Sequence, residues 1–216
     1  MLPDAPRDLR QVILATARDL LNEQGSTALS MREVARRAGV THQAPYHHFT
    51  DRETILAAVA TQGFDELSER MRAAYDMGST DGNSAMMRAA GDAYIGFAMA
   101  NPGVFGVMFR PEVCNPMRFP DVRNAGARAC NKLARLVRTV HGPGAGAEMT
   151  SVYWAHVHGL ACLMIDGPLS LRMSDKTQRD EHLQAASHQF AAAMLLLAGQ
   201  DAAAEANTDR PEAVKP

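Results

Sequence analysis

The sequence lacks the features that would carry it into or across a membrane. No stretch approaches the ~20 uninterrupted apolar residues that span a bilayer, and the opening MLPDAPRDLR has acids and prolines where a signal peptide has an apolar core. Cysteine is scarce. Cys114, Cys130 and Cys162 are odd in number and widely separated, with neither a Cys-x-x-Cys pair nor a zinc-ligand spacing. A reduced, cytoplasmic chain is expected, with no cofactor and no bound metal. His156 and His158 stand two apart, which on a helix sends them to different faces, and the adjacent His47 and His48 have the same difficulty. Catalytic signatures are missing too: no Ser or Cys nucleophile has a recognisable partner, no glycine-rich loop offers a phosphate cradle, and no carboxylates pair on a buried face. An enzyme is not expected. Without an electropositive setting, Cys114 and Cys162 read as structural thiols.

Charge of one sign is also lacking. The formal net charge is −2, so affinity for nucleic acid would have to come from a local cluster. Long alternation of apolar and polar residues is absent as well, which excludes an extensive half-buried sheet and predicts an all-α fold. With 216 residues, 46% hydrophobic and 21% charged, the chain can bury a substantial core.

What is present begins with a helix over about 7–24. Leu9, Val12, Ile13, Thr16, Ala17, Leu20 and Leu21 recur at helical spacing and Gly25 ends the run. Ser30-Met-Arg-Glu33 reads as a capping box that starts a second helix. There Val34 and Ala35 face inward, Arg32, Arg36 and Arg37 face out, Gly39 turns the chain and Val40 plugs a small core. Thr41 is expected to cap a short helix over 42–47, too short to stand without packing. Its polar start suits entry into a major groove. Within 26–52, four arginines against Glu33 and Asp51 make a local surplus of 4 − 2 = +2, joined by His42, His47 and His48.

The pattern of Gly25, Thr27, Val34-Ala35, Ala38-Gly39-Val40-Thr41 and Tyr46-His47-His48-Phe49, followed by Arg52-Glu53, resembles the N-terminal domain of the TetR family of bacterial transcriptional regulators over roughly residues 8–56. The resemblance implies a one-component repressor that dimerises through its C-terminal region and releases DNA on binding a small molecule. It places Thr27, Thr41, His42, Gln43 and Ala44 against DNA, beside the outward Arg37. It puts Tyr46 and His47 on the backbone, and Arg52 where the family usually has a Lys that meets a phosphate. Among these Gln43 is the best base reader, since an amide pairs bidentately with adenine, while Ala44 can touch a thymine methyl. Thr41 could bond a base or a phosphate, and the contacts of Tyr46, His47 and Arg52 position without specifying. Pro45 departs from the pattern by removing an amide from the short helix.

A second capping box, Thr50 to Glu53, is expected to launch a long helix to about Met77 with the stripe Ile55, Leu56, Val59, Phe64, Leu67 and Met71. That helix is the expected transmission element. A loop at 78–83, GSTDGN, precedes a helix over 85–100, and Asn101-Pro102 supplies a cap and a first-turn proline for a short apolar helix ending before Pro111. Helices over about 120–140, 148–165 and 176–198 complete a set of nine. The helix over 148–165 is apolar nearly all round and is expected to be buried on more than one side.

Trp154 and His158-Gly159 resemble the Trp-His-Gly signature of one type of TetR C-terminal domain. Position in the family implies that the last two helices pair with those of a second subunit. A pocket for a small, mostly apolar effector is expected to involve Phe97, Phe105, Met108, Phe109, Trp154, His158 and Cys162, with ordinary core packing as the alternative for each. The expected organisation is a DNA-binding domain over 1–55, a regulatory and dimerisation domain over 56–198 and a disordered tail over 199–216. The expected partners are double-stranded DNA bearing a palindromic operator, the effector and a second copy of the chain. The competing classes are a ligand-independent DNA-binding or architectural protein and a small all-α enzyme.

Overall fold

The computed structural model describes residues 8–78, 81–173 and 175–208, with the backbone alone for 77, 78 and 197–208. Among these the protein is all-helical, with eight α-helices and two 3-10 turns: α1 (Leu9–Gln24), a turn at Ser26–Ala28, α2 (Met31–Ala38), a turn at Ala44–His47, α3 (Arg52–Gly78), α4 (Asn83–Ala100), α5 (Pro102–Phe109), α6 (Pro120–His141), α7 (Ala147–Ile165) and α8 (Lys176–Thr208). The chain compacts into two units, one of Met1–Glu69 with Phe97–Asn131, the other of Arg70–Gly96 with Lys132–Pro216. Within the first unit α5 packs on α1.

The first unit is built on α1. Ile13, Leu14, Ala17, Leu20 and Leu21 are its buried stripe. Leu14 joins a set the spacing predicts without it. The stripe of α3 is buried as expected, from Ile55 to Met71. α5 nests so tightly that a Cβ on Gly103 would overlap the backbone of Leu21, and one on Gly63 of α3 would lie 2.6 Å from Met108 Sδ and 2.9 Å from Val104 Cγ1. Glycine at 103 lets α5 meet the backbone of α1, and glycine at 63 makes room for the Met108 and Val104 side chains against α3.

Helix ends depart from expectation in an instructive way. Asn101 occupies the capping position of α5 but makes no cap with its side chain. Its amide instead donates to Phe97 O at 3.1 Å, and its Oδ1 accepts from Arg18 Nη2 at 2.8 Å. The orphaned amides of Gly103 and Val104 are met by Asn22 Oδ1 of α1, at 3.1 and 3.2 Å. α3 is capped by Asp51 and Thr54, with Thr54 N donating to Asp51 Oδ1 at 2.8 Å and Asp51 N to Thr54 Oγ1 at 3.2 Å. The box therefore lies one residue beyond the expected Thr50–Glu53 pair, and Glu53 pairs with Arg118.

In the second unit Met86, Met87, Ala90, Leu136, Val137, Val140, Tyr153 and Ala191 form one apolar cluster, with Phe190 and Leu133 packed on it. α7 is not enclosed: Val152 is 45% and Leu163 46% exposed, so the expectation of burial on more than one side fails within a single chain. α8 runs to Thr208, past the end expected at Ala198, because Ala202 to Ala206 are mostly strong helix formers and need no large aliphatic to stay helical. Residues 209–216 of the expected tail, residues 79 and 80 of the expected loop and the first seven residues lie outside the described part. Cys114, Cys130 and Cys162 are all free thiols.

Candidate nucleic-acid interface and regulatory cavity

Ser30 fixes the start of α2, its Oγ accepting from Glu33 N at 3.1 Å. The reciprocal half of the expected box is replaced. The Glu33 carboxylate is taken by Arg36, through Nε at 2.8 Å and Nη2 at 2.6 Å, and by Arg37 Nε at 3.2 Å. Held first by the Arg36 hydrogen bonds and then by Arg37, it is pulled down to about 2. Arg37 also meets Glu23 at 2.5 Å, so two of the outward arginines are engaged within the protein. Arg32 is exposed and has no ion pair among the described residues. Gly39 ends α2 at φ 69°, ψ 29°, the left-handed conformation the turn requires.

Beyond that turn the structure shows a 3-10 segment in place of the expected α-helix over 42–47. The physical cause is Pro45, which has no amide to give to an i−4 carbonyl. The chain closes with i−3 bonds instead: Ala44 N to Thr41 O and Tyr46 N to Gln43 O, both 3.0 Å, and His48 N to Pro45 O at 3.0 Å. Thr41 contributes its carbonyl, while Gln43 occupies the capping position without a side-chain cap. Pro45 and Phe49 are buried and Val40 only half-buried, so the proline does the plugging expected of the valine. Around this anchor Thr41, His42, Gln43, Tyr46, His47 and His48 are all exposed, with Ala44 half-buried. Gln43 Nε2 lies 3.1 Å from His42 Nε2, which leaves its second amide hydrogen and its oxygen for an external partner. Thr27 is exposed at the middle of the other 3-10 turn, and Arg52 donates inward to the carbonyls of Leu29 and Ser26.

The residues expected at the effector site fall into two sets. In the first unit Phe97, Phe105 and Met108 are buried, and Phe109 meets Phe105 at 4.8 Å and Phe64 at 5.2 Å between ring centroids. In the second unit Trp154 Nε1 donates to Tyr94 OH at 3.2 Å, Tyr94 OH lies 3.0 Å from His158 Nδ1, and Cys162 Sγ lies 3.4 Å from His158 Nε2. Burial pushes the Tyr94 phenol up and the His158 imidazole down, favouring neutral groups. Beside them is a small cleft of about 20 Å³, room for little more than a water molecule, partly open to solvent and lined by Met87, Tyr94, Leu136, Tyr153, Val157 and Phe190 among others. In that wall Tyr94 meets two residues of the expected set, Trp154 and His158. Nothing in the sequence of α4 marks Tyr94 as a wall residue, and the signal that pointed nearby was Trp154 with His158-Gly159.

Two family models match the chain: "Bacterial regulatory proteins, tetR family" over residues 13–59 and "Tetracyclin repressor-like, C-terminal domain" over 87–190. The second carries no Trp-His-Gly designation. An HTH-type transcriptional regulator of Mycobacterium tuberculosis is 27% identical over 123 residues, 57% of this chain and 52% of its own, so the chain spans about half the length of that relative. The transcriptional activator FasR of Mycolicibacterium smegmatis is 33% identical over 93 residues, 43% of this chain and 42% of its own. A solved structure of a protein of unknown function from Rhodococcus sp. RHA1 superposes with a TM-score of 0.68 at 30% identity, covering 89% of this chain and 98% of that one. Both halves of the helical architecture are thus accounted for by one family. The chain belongs to the TetR family of bacterial regulatory proteins.

Proposed function

We infer that the chain is a homodimeric, ligand-responsive transcriptional repressor that binds a palindromic operator and releases it when a small, mostly apolar molecule binds. The observation that carries this reading is the row of exposed polar side chains from Thr41 to His48 standing on the buried Pro45 and Phe49. A rigid base under Gln43 is what base reading needs, because an amide reads adenine only when both its groups are aimed. Residues 1–55 take the DNA-binding role, and 56–198 take regulation and dimerisation.

Dimerisation is supported by α7, where Val152, Ala155 and Leu163 are exposed and Gly159 is half-exposed with nothing within 4 Å of an added Cβ. These residues lie on one stripe. A two-fold dimer places recognition segments about one helical turn apart, ~34–36 Å, or a multiple of it. The effector is proposed for the small cleft beside Tyr94, which widens on binding; the Tyr94 hydroxyl, held between Trp154 and His158, is the polar handle beside a mostly apolar wall. α3, one helix with residues in both units, is the proposed transmission element. A tenfold loss of operator affinity needs ~1.4 kcal/mol of preference by the effector for the releasing conformation.

Gel shift on the DNA flanking the chain's own gene tests the reading. Gln43→Ala is expected to relax base preference by about 1–3 kcal/mol, and Tyr46→Phe to weaken all duplexes alike. Equal losses on cognate and random duplexes for Gln43→Ala would remove it as the reader. In vitro transcription sets the sign, with fewer transcripts expected when the protein is added.

A further inference from the structure

Arg52 opens α3, and its guanidinium reaches back 26 and 23 residues to two carbonyls of the same short turn: Nη2 donates to Ser26 O at 2.5 Å and Nε to Leu29 O at 2.8 Å. Those carbonyls bracket the 3-10 turn Ser26–Ala28, which is closed by Leu29 N donating to Ser26 O at 3.3 Å. Leu29 is buried and Thr27, between the two clamped carbonyls, is exposed. The base of the clamp is itself fixed, since Asp51 and Thr54 hold the first turn of α3 by reciprocal bonds of 2.8 and 3.2 Å. Arg52 is half-buried by this arrangement.

We propose that Arg52 is a positioning residue for DNA binding, a fork that sets the Ser26–Ala28 turn and with it the place of Thr27, and that its contribution is not a phosphate contact. The proposal rests on the reading of this region as the DNA-contacting head. Its chemistry is particular to arginine. A planar fork with several N–H groups can hold two carbonyls at once, whereas a lysine ammonium is a point donor on a flexible stem. A phosphate contact made as a point charge is one that lysine supplies equally well. The two roles therefore separate on Arg52→Lys, which keeps the charge and most of the stem and loses the fork.

The experiment uses the full chain with Arg52→Lys, Arg52→Ala and Thr27→Ala. Its first arm is amide hydrogen exchange without DNA. In Arg52→Lys the Leu29 amide is expected to exchange about tenfold faster or more, while buried amides of α1 retain wild-type rates. Unchanged exchange at Leu29 overturns the clamp. The second arm is binding to a duplex from the region upstream of the chain's own gene, across a range of salt concentrations. Arg52→Lys is expected to lose about as much affinity as Arg52→Ala, to keep the wild-type salt slope, and to add little once Thr27→Ala is present. Wild-type affinity for Arg52→Lys, together with a slope lowered by about 1 in Arg52→Ala, assigns a phosphate contact and overturns the proposal. Losses that simply add to those of Thr27→Ala overturn it too, since they describe a general loss of fold rather than an action through the turn. If the wild-type chain binds no duplex, the reading as a DNA-binding head fails and the exchange arm still decides whether the fork holds the turn.

Discussion

In the first unit, helix ends are fastened by side chains that arrive from other helices. Asn22 of α1 caps α5, Arg18 reaches Asn101 and Glu66, and Arg52 of α3 holds the turn before α2. The second unit also has bonds between helices, such as Trp154 to Tyr94 and His188 to Asp92, but its core is an apolar cluster rich in methionine and aromatics. There His156 stacks on Phe190 at 3.8 Å, its Nε2 buried without a hydrogen-bond partner among the described residues, and a small cleft of about 20 Å³ opens beside Tyr94. The difference matters for what each can do. Directional bonds and backbone contact select one geometry, as a reader of DNA requires. Methionine-rich packing tolerates rearrangement.

The sharpest way to break this contrast is at glycine. Gly103→Val drives a side chain into the backbone of Leu21 and is expected to cost about 3 kcal/mol or more in chemical denaturation, or to prevent folding. In the second unit Gly96 has nothing within 4 Å of an added Cβ, so Gly96→Ala is expected to stabilise by up to about 1 kcal/mol. Similar costs at both positions would show that the two units are packed alike. A charge on the open face of α7, Leu163→Arg, is expected to weaken dimerisation by about 2 kcal/mol or more in sedimentation while leaving the helical signal intact. A dimer that forms unchanged would place the interface elsewhere.

Removal of the remote cap in Asn22→Ala leaves two amides of α5 unsatisfied, and a loss of about 1–2 kcal/mol is expected by denaturant titration. The smallest effect belongs to Glu33. Its folded pKa of about 2 lies below its ordinary value of 4.5 because Arg36, then Arg37, bond the carboxylate. Its contribution is thus fully present above pH 4.5 and is lost as pH falls through about 2. Glu33→Gln should flatten that part of the stability profile slightly. A profile unchanged between wild type and variant would show that the pair is fully screened by solvent.

Much of the fold was legible where the cause is local. The buried stripes of α1 and α3 follow from three- and four-residue spacing, the start of α2 from Ser30, and its end from Gly39. Legibility failed where the partner is distant. Asn101-Pro102 has the local form of a cap, yet the donors it would serve are met by Asn22, 81 and 82 residues away in sequence. Thr50 and Glu53 have the spacing of a box, but Arg118 draws Glu53 off, and Asp51 with Thr54 takes over. Pro45 was visible as an irregularity; that it would turn a helix into a 3-10 segment and bury itself beside Phe49 was not, because burial depends on what packs around it.

By itself, then, the sequence determined the helical class and most helix boundaries, because periodicity, caps and turn residues act within a few positions of themselves. Tertiary structure alone decided the direction in which Arg52 points, which asparagine caps α5, and which wall encloses the space beside Tyr94. Those depend on groups that folding brings together from far along the chain. A hydrogen-bond donor takes the acceptor within its reach, whatever the sequence distance between them.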